Sequence, residues 1–103
     1  MSNQLAGREY LFDLGELQVR YRFDSAESAT FTVVNGAGLA PDGHTETVDI
    51  TVKELRSGLY LNSWREESGA TVTHVEDFAN GVLYSNVTVD GQIYTFVGSI
   101  KEA

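Results

Sequence analysis

The chain has 103 residues and a mass of 11.3 kDa, with 42% hydrophobic and 21% charged residues, enough for one compact core and too little for two, so residues 1–103 read as a single domain. Seven basic against fifteen acidic residues leave a net charge of -8, which repels a phosphate backbone or an anionic membrane surface and argues against both as partners. No cysteine is present, so disulfide frameworks, thiolate zinc sites and thiol nucleophiles are excluded.

No window approaches the roughly 18 consecutive apolar residues of a membrane span, and Met1 to Arg8 lacks the basic-then-apolar order of a signal peptide. The expected location is cytoplasmic. Eleven Val, nine Thr, five Tyr and five Phe favour pleated, half-buried surface. Gly-containing turn signals punctuate the chain, no segment keeps a helical period, and about eight strands are predicted.

The first strand, Arg8 to Asp13, carries Tyr10 and Phe12 and ends at Leu14-Gly15. The second, Glu16 to Asp24, alternates most clearly: Leu17, Val19, Tyr21 and Phe23 on one face, Glu16, Gln18, Arg20 and Arg22 on the other. The two arginines offer bidentate forks for a carboxylate or phosphate. The apolar set makes the better lining for a small barrel, however, which places them outside. The third strand is Ala29 to Val34. After it, Asn35 to Gly43 is the only long polar connection and the candidate for a mobile flap at one rim.

The fourth strand, Thr45 to Leu55, is preceded by His44, and the fifth, Leu59 to Glu66, places Tyr60, Asn62 and Trp64 on one face with Glu66 at its end. Flat apolar area with hydrogen-bonding tips suits an aromatic or conjugated ligand, although Tyr60 and Trp64 can equally fill a core. The sixth strand, Thr71 to Ala79, carries His74 on one face with Val72, Glu76 and Phe78. Asn80-Gly81 and Asp90-Gly91 are read as two-residue type I′ hairpin turns around the seventh strand, Val82 to Val89, which carries Tyr84. The eighth strand is Gln92 to Lys101.

Eight short antiparallel strands in up-and-down order leave two exposed edges unless they close. The expected fold is therefore all-β, a single antiparallel up-and-down β-barrel whose interior is filled by side chains or holds one small ligand. The 42% hydrophobic content of a chain that must also fill its own core points to self-association, expected as a homodimer.

The stretch Gly58-Leu59-Tyr60-Leu61-Asn62-Ser63-Trp64-Arg65-Glu66, then Gly69 and Val75-Glu76-Asp77-Phe78, with Tyr10-Leu11-Phe12-Asp13-Leu14-Gly15 near the start, resembles the MoaF-like group, named for molybdenum cofactor biosynthesis protein F. The resemblance implies a small calycin-like, lipocalin-like barrel able to hold a small molecule, with no settled chemistry. The bacterial phenolic acid decarboxylases look similar in the same stretch. Their active-site residues do not carry across: Phe12 stands at the second tyrosine of their Y-x-Y, a further active-site tyrosine falls near Gln18, the catalytic glutamate falls on Ser57, and the substrate-binding arginine falls near Gly43 and His44. That likeness implies the barrel and not the decarboxylation.

His74 is the leading candidate for chemistry, because imidazole titrates near neutrality and Glu76 at i+2 can orient it. The alternative is that both sit on the outer face. His44-Thr45-Glu46 repeats the spacing, but without H-x-H or H-E-x-x-H no metal is expected, and no cofactor either. Glu66 and Asp77 are candidate acids, bases or orienting carboxylates if partly buried, and are otherwise solvated or structural. Asn86-Val87-Thr88 is read as a chance glycosylation sequon. Without G-x-S-x-G, a P-loop or a Rossmann glycine run, hydrolase, NTPase and dinucleotide chemistry have no support.

The preferred reading is a binding barrel for a small apolar or aromatic ligand, with Tyr10, Tyr60, Asn62, Trp64 and Tyr84 as ligand-binding residues. The alternative is a lyase- or isomerase-type enzyme on a conjugated metabolite, with His74 as acid or base, Glu76, Glu66 or Asp77 as its carboxylate, and Tyr60 as donor to developing charge. A third reading is a solid-core interaction module. The interior discriminates: a filled lumen favours the module, an apolar cavity the binding barrel, and a cavity with a buried histidine or carboxylate the enzyme.

Overall fold

A computed structural model describes residues 5–103, and among them there is no α-helix. Eight strands, β1 (Glu9–Leu14), β2 (Leu17–Phe23), β3 (Ser28–Asn35), β4 (Thr45–Arg56), β5 (Leu59–Arg65), β6 (Thr71–Asp77), β7 (Val82–Val89) and β8 (Gln92–Glu102), follow one another around a closed antiparallel barrel. The up-and-down order and the closure match the sequence expectation. Alternation decides the faces: Leu17, Tyr21 and Phe23 of β2 are buried while Arg20 and Arg22 pair outside with Glu9 and Asp24 at 3.6 and 2.7 Å.

Turn chemistry sets the registers. At Asp90-Gly91 both residues have positive φ, 50° and 78°, and Val89 faces Gln92, so this is the expected two-residue primed hairpin. Asn80-Gly81 differs. Only Gly81 has positive φ, and Asp77 faces Val82, which makes residues 78–81 a four-residue connection. The reason is local: the Asp77 carboxylate accepts from the Asn80 backbone N–H at 3.1 Å and from Asn80 Nδ2 at 2.9 Å, an Asx-type arrangement that competes with the tighter turn and ends β6 before Phe78.

The two ends of the barrel are unlike. At the end carrying the β2–β3, β4–β5 and β6–β7 connections, Phe78 folds across the opening. It meets Tyr10 at 4.9 Å, Tyr60 at 5.7 Å and Phe23 at 6.4 Å between ring centroids. These tilted and edge-on geometries are the ones aromatic quadrupoles favour, each about 0.5–1.5 kcal/mol beyond area burial, and they close that end. The opposite end carries the β1–β2, β3–β4, β5–β6 and β7–β8 connections and stays open. The expected flap there is a hydrogen-bonded loop: Asn35 Oδ1 accepts from Ala37 N at 3.0 Å, Asp42 Oδ1 from Gly36 N at 2.9 Å, and Gly36 O from Leu39 N at 2.8 Å.

The outer surface carries one continuous apolar row. Leu61 faces Val75, Val75 faces Tyr84, and Tyr84 faces Val97, so four strands contribute one residue each.

Candidate functional site

The lumen behind the open rim encloses about 750 Å³, within the range of about 300–1,000 Å³ typical of small-molecule sites. Its walls are apolar, with Phe12, Leu17, Val19, Phe31, Val33 and Trp64 pointing inward from β1, β2, β3 and β5. Leu39, Ala40 and Pro41 of the β3–β4 loop reach over the rim. The lumen is therefore not solid.

Its floor is polar. Tyr21 on β2, His74 on β6 and Ser85 on β7 face the cavity, with Asn62 and Glu76 in the layer beneath, both fully buried. Register explains the grouping: Asn62 faces His74 across β5–β6, and His74 faces Ser85 across β6–β7, so three polar side chains stand side by side on one inner face. Glu76 Oε2 accepts from Asn62 Nδ2 at 3.1 Å and lies 3.1 Å from His74 Nδ1; Asn62 Nδ2 also donates to Tyr21 Oη at 2.9 Å. With Glu76 ionised its oxygens only accept, so Nδ1 is the donor of this pair and Nε2 is the ring nitrogen the pair leaves unused. Trp64 and Phe12 pack edge-on against the imidazole, at 4.9 and 5.3 Å, and fix its plane. Burial, and secondarily the charge of Glu76, raise the Tyr21 hydroxyl above its ordinary range, so it stays a neutral phenol. Asn62 Oδ1, Glu76 Oε1 and Ser85 Oγ are buried without a hydrogen-bond partner.

The mouth is acidic. Glu46, Glu66, Glu67 and Asp90 line it together with His44. His44 Nε2 lies 3.2 Å from Glu46 Oε1, and Glu46 Oε2 accepts from Glu67 N at 2.7 Å. Trp64 Nε1 donates to Glu66 Oε2 at 3.1 Å. Partial burial raises the Glu66 pKa, with the Trp64 hydrogen bond opposing and the nearby Glu46 charge adding to the rise. Among the described residues no three His, Asp or Glu side chains converge as a metal site would require.

Several expected site residues fall where expected and several do not. His74 and Glu76 are inside and paired, which removes the outer-face alternative, and Trp64 and Glu66 line the cavity. Tyr84 is outside, 48% exposed, because Leu83 and Ser85 take the inner face of β7. Tyr10 and Tyr60 are inside but belong to the aromatic closure, and Asn62 lies below the cavity surface. Asp77 serves the β6–β7 turn at the closed end, away from His74. Ser85 and Tyr21 join the floor without having been singled out. Tyr21 was legible as an inward residue; Ser85 becomes so once the β6–β7 register is known.

An eight-stranded barrel closed at one end, with a lumen behind an open rim, defines a calycin-like small barrel. The sequence signature of the MoaF-like family matches residues 6–101, and the chain belongs to that family. Among solved structures, the crystal structure of a "putative beta-lactamase" from Burkholderia vietnamiensis is similar, with a TM-score of 0.91 over 100% of this chain and 99% of that one at 22% identity, a likeness of fold. No curated protein matches the sequence significantly.

Proposed function

We propose that the protein binds a small, largely apolar molecule in the barrel lumen. The observation that carries this reading is the cavity of about 750 Å³, open at one rim and apolar in its walls, which a module built only for surface contacts would fill with side chains. The neutral dye N-phenyl-1-naphthylamine is a suitable probe. It is expected to brighten on binding, to quench Trp64, and to raise the melting temperature, since ligand at one hundred times Kd stabilises by about 2.7 kcal/mol. Val87→Trp, which places an indole into the lumen from β7, is expected to abolish all three responses. No response in the wild-type protein, or an unaltered one in the filled variant, overturns the reading.

The His74–Glu76 pair favours a second reading, proton transfer to a conjugated ligand as in an isomerase or lyase. A base held by a carboxylate at 3.1 Å beside a cavity is arranged as such chemistry requires. Exchange of solvent deuterium into a bound conjugated ketone is the matching assay. His74→Gln is expected to lower the exchange rate by about 10²–10⁴-fold while dye binding persists. Exchange at the wild-type rate in that variant removes His74 from the chemistry.

A further inference from the structure

We propose that the lumen selects ligands carrying a positively charged nitrogen, an ammonium or amidinium group held at the mouth by Glu66, over carboxylate or phosphate ligands of the same skeleton. This rests on the lumen-binding reading and adds the charge of the ligand.

The mouth holds four carboxylates, Glu46, Glu66, Glu67 and Asp90, and among the described residues no Lys or Arg lines the cavity. His44, the basic group at the rim, is engaged with Glu46 at 3.2 Å. Glu46 is further tied through Oε2 to the Glu67 backbone, whereas Glu66 is held only through Oε2 by the Trp64 indole. The indole fixes the carboxylate in place without neutralising it. A cation arriving beside Glu66 gains an opposite charge and lies at the edge of a cavity walled by Trp64 and Phe31, whose faces also attract cations. A carboxylate ligand would instead enter a partly desolvated, negative ring with no Lys or Arg to pair with and His44 already engaged by Glu46. The net charge of -8 steers cations toward the protein over longer range.

The deep end supplies an independent pointer to a ligand. Ser85 is 2% exposed, faces the cavity, and its Oγ has no partner in the protein. A native barrel seldom leaves a buried hydroxyl unpaired. Here it stands beside His74, where a polar group at the inner end of a ligand can bond to it. The ligand that fits has a cationic end at the rim, an apolar body, and a hydrogen-bonding end at the floor.

The raised Glu66 pKa agrees with this arrangement and gives a second readout. A carboxyl whose folded pKa exceeds its ordinary value of 4.5 destabilises the fold once ionised, so stability is lost as pH rises through the folded pKa. Glu66→Gln should therefore slightly raise the melting temperature at pH 7, and the gain should vanish well below about pH 4. Gln still accepts the Trp64 hydrogen bond, while Glu46, His44, Glu67 and His74 keep their places around it.

The test uses one skeleton with three charges: 2-naphthylmethylamine, 2-naphthalenemethanol and 2-naphthoate, titrated calorimetrically into the wild-type protein. The amine is expected to bind at least about tenfold more tightly than the naphthoate, a difference of about 1.4 kcal/mol. The ratio should shrink with added salt and fall toward one in Glu66→Gln, while Arg20→Gln on the outer face changes none of the three. Equal affinities, or a tighter naphthoate, overturn the charge preference and leave lumen binding standing. No binding by any of the three, with the dye also inert, overturns both. An undiminished amine preference in Glu66→Gln overturns the role of Glu66.

Discussion

His74→Leu is expected to destabilise the barrel by about 3–5 kcal/mol, because it strands the Glu76 carboxylate in a fully buried layer with Asn62 as its remaining side-chain donor. For a domain of this size about 4 °C of melting temperature accompanies each kcal/mol, so the loss is on the order of 12–20 °C. The cause is the stranded charge rather than lost packing, since leucine refills much of the space between Phe12 and Trp64. A double-mutant cycle separates the two. In the wild-type protein Glu76→Gln removes a charge-assisted bond to His74 and should cost about 1–3 kcal/mol. In the His74→Leu background the same change removes the uncompensated charge and should stabilise, which inverts its sign. Thermal unfolding of the four proteins measures the cycle. If Glu76→Gln destabilises both backgrounds equally, the two side chains are not coupled and the floor is not the network the distances indicate.

That network was half legible. His74 and Glu76 share a face with Val72 and Phe78 by alternation, yet that pattern fits an outward strand beside a wet surface as well as an inward one. What settles the matter is closure: once β8 pairs with β1, each strand has one inner face, and Leu83, Val72 and Trp64 assign it. Tyr84 illustrates the converse. A tyrosine in an apolar strand invites an inward reading, but parity with buried Leu83 forces it out, where it joins the row of Leu61, Val75 and Val97. Side-chain character misled there, and parity would have served better.

Ser85 was missed for a different reason. With Asn80-Gly81 read as a two-residue turn, residue 79 would face 82 and His74 would face Val87, an apolar neighbour of no chemical interest. The Asp77–Asn80 hydrogen bonds lengthen the connection to four residues and slide the register by two, which brings Ser85 opposite His74. One aspartate at a strand end thus decides which side chain stands beside the imidazole. Tyr10 and Tyr60 show the remaining limit: facing can be read from parity, but depth along the barrel axis depends on strand stagger and on Phe78 folding across one end. Their rings are inside, below the cavity rather than in its wall.

Gly98→Ala is expected to cost about 3 kcal/mol or more, a melting decrease on the order of 12 °C or more, although it adds a single methyl group. A Cβ built at Gly98 would overlap the Asp13 carbonyl oxygen and crowd the Leu14 Cα, both backbone atoms that no side-chain rotation can move aside. Gly98 occupies an inward position of β8, opposite Leu83, at the place where β1 leaves its partner. The seam there rests on the pairs Tyr10–Glu102, Leu11–Lys101, Phe12–Ile100 and Asp13–Ser99, so pushing Asp13 away removes the pair nearest the open end. Glycine inside a strand commonly marks such a close approach, and this one permits the closure that defines both the fold and the lumen. Gly15→Ala is the informative comparison. Its Cβ meets open space, and its cost, about 1–2 kcal/mol, comes only from a φ of 90° that L-residues disfavour. Hydrogen exchange should show lost protection at Asp13 and Ser99, whose backbone groups face each other across the seam, in Gly98→Ala and none in Gly15→Ala. Because Phe12 and Leu14 also wall the cavity, the seam variant should bind the naphthylamine dye less tightly even where it remains folded. A Gly98→Ala protein that melts within a degree or two of the wild type would show that β1 and β8 tolerate separation there, and that the stability of the fold rests on the other seven strand pairs.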